Sequence, residues 1–313
     1  MAQNAVATAN KKPKKEKRSQ FSGMSKALVR RETISAYLFL LPSLVFFIGF
    51  VVIPMIMCVV FSFQEMGLNS AATRFVGFAN YVKMVQDPVF WKGFLNTVII
   101  VAVAVPAVTA FSLWVSSAIY QMKAVTRSFF RCVFYLPVVT GTVAVTVVWK
   151  WMFNPYNGLL NQIFGTTGYD WLGNSATAIW CIILILFTTS IGQPIVLYVA
   201  ALGNVDQSLV EAAQVDGATK LQVFWKIKWP QIMPTTLYIL VITTINSFQC
   251  FALIQLLTSG GPNHATDTIM YYIFQMAYNN QNFGYANAMG VVLAIIIAIF
   301  SAIQFKFAKT DNG

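Results

Sequence analysis

Apolar residues run in long blocks along this chain, and charges fall between the blocks. No charged residue lies between Glu32 and Glu65, between Lys92 and Lys123, or between Arg131 and Lys150. The same holds from Asp170 to Asp206, from Lys228 to Asp267, and from Asp267 to Lys306. A membrane helix needs about 20 mostly apolar residues. The blocks therefore predict six spans, near 36–63, 94–120, 131–150, 176–201, 231–257 and 287–307. The interval from Lys150 to Asp170 is also free of charge, but it holds Asn154, Pro155, Asn157, Gly158, Asn161, Gly165 and Gly168. These are turn formers, so the interval is read as a loop. Pro42, Pro54, Pro106, Pro137 and Pro194 fall inside spans, where each removes a backbone hydrogen bond and favours a kink.

Composition agrees with the pattern. Of 313 residues, 57% are hydrophobic and only 10% charged, against about 25% charged in a soluble domain. A soluble enzyme and a disordered chain are both excluded on this ground. A β-barrel is disfavoured because its strands alternate polar and apolar positions. The reading is an all-α, polytopic membrane protein. The first apolar block is longer than the roughly 7–15 residues of a signal-peptide core, so it is taken as a retained helix.

The net charge of +11 is unevenly placed. Nine basic residues precede Tyr37, six of them between Lys11 and Arg18. Residues 1–35 read as a solvated, disordered basic tail that contacts anionic lipid, with 36–308 as the membrane domain and 309–313 as a short tail. Six spans put both ends on one side. Residues 1–36, 121–131, 202–230 and 306–313 hold 17 of the 21 basic residues, which predicts that these face the cytoplasm. No folded stretch interleaves basic and aromatic residues, so nucleic acid is not an expected partner.

Catalytic chemistry is missing from the pattern. Cys58, Cys132, Cys181 and Cys250 are scattered in apolar segments, without metal-ligand spacing. The lone histidine, His264, sits in an outward segment. No Gly-rich phosphate loop occurs, so ATP energy must come from another chain. Neither metal nor cofactor is expected, and the chain is not read as an enzyme. No span carries a central charge, which argues against an ion-coupled carrier. Neutral polar groups do occur there: Thr188, Thr189, Ser190 and Gln193 in the fourth span, and Thr243, Thr244, Asn246, Ser247 and Gln249 beside Phe248 and Phe251 in the fifth. Such groups suit an uncharged polyhydroxy ligand, or hydrogen bonding between helices.

The segment 204–234 carries the most information. Ser208 and Glu211 have capping-box spacing, as do Thr219 and Gln222. Gly217 between them favours a helix end, and Pro230 leads into the fifth span. A short helix over 207–217 is predicted at the cytoplasmic end of the spans, slim at Ala212 and Ala213. Glu211 either caps this helix or engages a partner.

Glu211-Ala212-Ala213, Asp216-Gly217-Ala218, Ile227, Pro230 and Pro234 resemble the cytoplasmic loop of permease subunits in binding-protein-dependent ABC importers. Leu256 to Pro262, with its Gly260-Gly261-Pro262, then Thr266 and Tyr271-Tyr272-Ile273, resembles an outward loop of the carbohydrate permeases, of maltose and glycerol-phosphate type. Asn157 to Asn161 resembles an earlier outward loop. Trp229-Pro230 and Val205-Asp206 depart from the family's usual Leu-Pro and Ile-Pro. The resemblance implies a type I ABC importer permease fold in a bacterial cytoplasmic membrane. It implies partners: a second homologous permease, two cytoplasmic ATPases and an extracytoplasmic solute-binding protein. It further implies ATPase coupling through Glu211, Ala212, Ala213, Asp216 and Gly217, and sugar contacts at Gln193, Thr243, Asn246, Ser247 and Gln249. A phosphorylated polyol, a peptide or an amino acid stays open as the solute, and so does a non-transporting membrane scaffold.

Overall fold

The computed structural model describes residues 26–67 and 73–310. It is almost wholly helical, apart from one antiparallel pair, Gln64–Glu65 (β1) and Arg74–Phe75 (β2). The chain divides into two units, Met1–Met57 and Cys58–Gly313.

α1 (Lys26–Phe47) passes through a π turn, Ile48–Val52, into α2 (Ile53–Ser62). Pro54 has no N–H to offer the Phe50 carbonyl, and the widened turn sits just before it. Glu32–Ser62 is long and apolar enough to span a membrane. Leu38, Phe39, Phe46 and Phe50 are exposed, as expected of side chains that meet lipid. Helix starts at Lys26, earlier than the expected 36. The basic run at 11–18 lies outside the described residues, as does the 311–313 end of the chain.

The second unit is built around α4 (Pro88–Tyr120), which follows α3 (Ala79–Gln86). Pro88 opens α4, and the Asp87 carboxylate accepts from the N–H groups of Val89 and Phe90 at 2.9 and 3.4 Å. Gly93, Ala104, Ser112 and Ser116 are buried along α4. Small residues of this kind let helices approach closely inside a membrane.

The third predicted span is two helices, α5 (Ala124–Thr140) and α6 (Thr142–Met152), bent by 98°. The bend falls at Gly141, whose φ of 82° no ordinary helical residue adopts. A short α7 (Leu159–Phe164) lies in the turn-rich interval. The fourth span is α8 (Ala178–Ser190) and α9 (Gly192–Gly203), bent by 41° ahead of Pro194. At this bend Ser112 Oγ donates to the Ile191 carbonyl at 3.3 Å, and Ser116 Oγ to the Ile195 carbonyl at 3.1 Å. A Cβ on Gly192 would lie 2.5 Å from the Phe134 carbonyl oxygen and 3.0 Å from Tyr135 Cα. Glycine is what lets α5 and α9 meet there.

Helices α10 (Gln207–Val215) and α11 (Lys220–Val223) follow, then a π turn at Phe224–Lys228 and α12 (Trp229–Phe248). The chain continues through α13 (Ala252–Leu257), α14 (Ile269–Phe274), a π turn at Gln275–Asn279 and α15 (Phe283–Thr310). Among the described residues three helices are long and apolar enough to cross a membrane, and five if each bent pair counts as one span. The remaining expected span, 231–257, stops at Phe248 as a continuous helix. α12 is 20 residues long, but it carries Gln231, four threonines, Asn246 and Ser247, so its apolar character is diluted.

Candidate functional site

The loop joining α9 to α12 is held in place by its own chemistry. Asp206, and not Ser208, caps α10: its Oδ1 accepts from the Ser208 N–H at 2.9 Å and from Ser208 Oγ at 2.7 Å. Hydrogen bonds from Ser208 hold the Asp206 carboxyl below the ordinary carboxylate range. The Asp206 N–H donates to Gln231 Oε1 of α12 at 3.1 Å. The helix ends at Gly217, φ 78°. There the Ala218 N–H reaches back to the Ala213 carbonyl at 2.9 Å, the closure expected of a left-handed C-cap. The Thr219–Gln222 capping box forms as predicted.

One face of α10 is buried and the other is free. Val210 and Ala213 pack with Tyr198, Leu202, Val205, Val223, Ile232 and Ile239. Glu211, Ala212, Asp216 and Gly217 are exposed. Glu211 makes no hydrogen bond or ion pair to any described residue, because Asp206 has taken the capping position. Its carboxylate is directed to solvent, available to a binding partner.

At the other end of the same helices lies a cavity of about 170 Å³. α8 and α9 supply Thr189, Ser190, Gln193 and Leu197, α12 supplies Tyr238, Ile242, Thr243 and Asn246, and Val138 of α5 completes the wall. No charged side chain lines it. The spacing of Tyr238, Ile242 and Asn246 is one turn per step, so a single stripe of α12 faces the opening. Of the residues expected to contact solute, Gln193, Thr243 and Asn246 come together here. Ser247 is buried outside this lining, and Gln249 is exposed beyond the end of α12. Tyr238 went unnoticed in the sequence because a tyrosine in a span reads as an interfacial aromatic. That it lines the same cavity as Gln193 of another helix has no sequence signal.

The segment that contains Gly260-Gly261-Pro262 is tightly tied. Thr266 Oγ1 donates to the Gly261 carbonyl at 2.8 Å, and Asn96 Nδ2 donates to the Asp267 carbonyl at 2.9 Å. Asp267 is fully buried against His264, with Nδ1 to Oδ2 at 2.5 Å. Burial pushes its carboxyl pKa up, partly countered by His264. A Cβ on Gly260 would collide with Asp267 Oδ1.

The fold is a helical membrane domain with an exposed short helix, α10, packed onto the helices that line a polar cavity. Residues 88–309 match the family of the binding-protein-dependent transport system inner membrane component, and the chain belongs to that family. It is 33% identical over 292 residues to the probable ABC transporter permease protein YurN of Bacillus subtilis, covering 91% of this chain and 99% of that one. It is 33% identical over 286 residues to the diacetylchitobiose uptake system permease protein NgcF of Streptomyces coelicolor, covering 86% and 81%. In fold it is similar to a bacterial ABC transporter involved in the import of the acidic polysaccharide alginate, with a TM-score of 0.77 at 23% identity over 91% of this chain and 98% of that one.

Proposed function

We propose that this chain is one permease half of a sugar or oligosaccharide importer, with solute entering the cavity lined by Gln193, Thr243, Asn246 and Tyr238. One observation carries the reading: the cavity and the coupling helix stand on the same two helices. α9 presents Gln193 and runs directly into α10. α12 presents Thr243 and Asn246, and its first turn holds the Asp206 N–H through Gln231. The buried contacts of Tyr198, Leu202, Ile232 and Ile239 make these helices one rigid lever. The lining offers neutral donors and acceptors, which match sugar hydroxyls. It offers no cation for a phosphate or carboxylate. The named substrate of NgcF is a saccharide, in keeping with this chemistry.

The complete importer adds a second homologous permease, two cytoplasmic ATPases and an extracytoplasmic solute-binding protein. Both termini face the cytoplasm of a bacterial cell. ATP binding closes the ATPases around α10 through Glu211, Ala212, Ala213, Asp216 and Gly217, and the lever switches the access of the cavity. Coupling requires α10 to bind one ATPase state better than the other.

The test is reconstitution of the full importer in liposomes with its binding protein and a panel of labelled saccharides. ATP-dependent uptake of a neutral saccharide is expected. Uptake confined to amino acids, peptides or phosphorylated polyols would overturn the sugar assignment.

A further inference from the structure

The cytoplasmic end of the α4 bundle holds two half-buried cations that converge on one residue. Arg127 Nη1 donates to the Tyr120 carbonyl at 3.1 Å, at the open C-terminal end of α4. Lys228 Nζ lies 5.6 Å from the centre of the Tyr120 ring. The two come from different elements, α5 and the π turn before α12. No carboxylate pairs with either among the described residues, where the ion pair found is His264–Asp267. The helix end accounts for one donor of Arg127. Its remaining donors and the Lys228 ammonium have no anionic partner. Trp229 follows Lys228 in the chain and packs on the same cluster as Tyr120, and its ring centre lies 5.3 Å from that of Trp225. Trp225 is exposed, as is Lys226 between them.

We infer that Tyr120, Arg127, Lys228 and Trp225 form a binding site for the phosphate headgroup of an anionic phospholipid in the cytoplasmic leaflet. The guanidinium and ammonium supply charge-assisted hydrogen bonds to phosphate oxygens. The indole of Trp225 is suited to the headgroup level, with an apolar body toward the acyl chains and an N–H toward water. A basic pocket between membrane helices on the cytoplasmic side is where anionic lipids are held. The placement matters because Lys228 immediately precedes and Trp229 begins α12, one of the two lever helices, and Tyr120 and Trp229 both pack on the cluster that seats α10. A bound headgroup pins α4, α5 and the start of α12 together. The inference rests on the proposed sidedness but not on the sugar assignment.

The experiment uses the full importer, purified in mild detergent from membranes that contain phosphatidylglycerol and cardiolipin, with retained lipid counted by mass spectrometry. Wild type is expected to keep anionic lipid. Arg127→Gln/Lys228→Gln is expected to retain about thirty-fold less, from roughly fivefold per cation at a membrane surface. Lys226→Gln, which removes a neighbouring charge off the Tyr120 site, is expected to match wild type. If the double variant fails to assemble, wild type in nanodiscs decides: its melting temperature should rise with cardiolipin added to zwitterionic lipid, and should not rise with inorganic phosphate. Equal lipid retention by wild type and the double variant overturns the site. An equal rise with inorganic phosphate overturns the lipid as its ligand. Loss of the ATPases from the double variant with lipid retained makes the patch a protein contact and overturns it as well. Retention is read by mass and does not depend on transport, so these failures are separable from failure of the sugar assignment.

Discussion

Asp206 accepts both the N–H and the hydroxyl of Ser208, at 2.9 and 2.7 Å, and this one contact frees Glu211. Had Ser208 been the cap, Glu211 would have folded back onto its N–H to close the box. With Asp206 in that place, the helix is started two residues earlier and Glu211 faces solvent a full turn in. Glu211→Ala is therefore expected to change stability by no more than about 0.5 kcal/mol, the range for exposed surface sites. It should abolish binding-protein-stimulated ATP hydrolysis and uptake in liposomes. Normal uptake with normal stimulation would refute the role given to Glu211. Asp206→Ala should weaken the helix through loss of its cap, read as a lower melting temperature.

The cavity predicts a split between affinity and coupling. Gln193→Leu and Asn246→Leu each remove a hydrogen-bonding group while keeping bulk. A lost hydrogen bond of about 1.4 kcal/mol corresponds to a tenfold change. Apparent KM for uptake should rise about tenfold, with basal ATP hydrolysis unchanged. Ser247→Ala should leave KM near wild type, because Ser247 lies outside the cavity wall. A KM effect of Ser247→Ala as large as that of Asn246→Leu would refute this geometry.

Gly192 predicts a packing defect. Alanine there meets the backbone of Phe134 and Tyr135, and backbone cannot rotate aside. Overpacking of this kind costs about 1–3 kcal/mol. Gly192→Ala should lower the melting temperature of the purified importer and raise KM together, since α5 and α9 both line the cavity. Unchanged melting would mean that the two helices are not in contact.

Asp87 predicts acid sensitivity at the start of α4. Its Oδ2 accepts from Tyr272 Oη at 2.6 Å and Tyr285 Oη at 2.7 Å, while Oδ1 caps α4. Burial alone would raise its pKa, but these hydrogen bonds outweigh burial and hold it below the ordinary carboxylate value. A carboxylate with a depressed folded pKa stabilises in full above the unfolded value, about 3.9 for Asp. That contribution is lost as pH falls through the folded value. Melting temperature should thus drop below about pH 4, and the drop should be shallower in Asp87→Asn. At neutral pH Asp87→Ala should cost several kcal/mol, from about 1 for the cap and about 1.5–3 for each hydrogen bond to a charged group. A flat wild-type profile across that range would refute the network.

The sequence by itself determined the helices and their medium. Long uncharged blocks leave the backbone no partner but itself in lipid, so helix is enforced. Local signals were equally readable where both partners lie within a turn: Thr219 with Gln222, and Gly217 at the end of α10. The bends were only half legible. Gly141 and Pro194 are visible in the sequence, but the 98° and 41° angles come from what packs on either side.

What tertiary structure alone decided was which polar groups meet. Gln193 and Asn246 share a cavity, Ser247 is turned away from it, and Gln249 falls past the helix end, although all four read alike as neutral polar residues in a span. Asp87 reaches tyrosines 185 and 198 residues away. The physical reason is one of range. Propensity and capping act within a turn of the chain. The rotation of a helix about its axis is set by the summed packing of its neighbours, and that rotation chooses which side chains line the cavity.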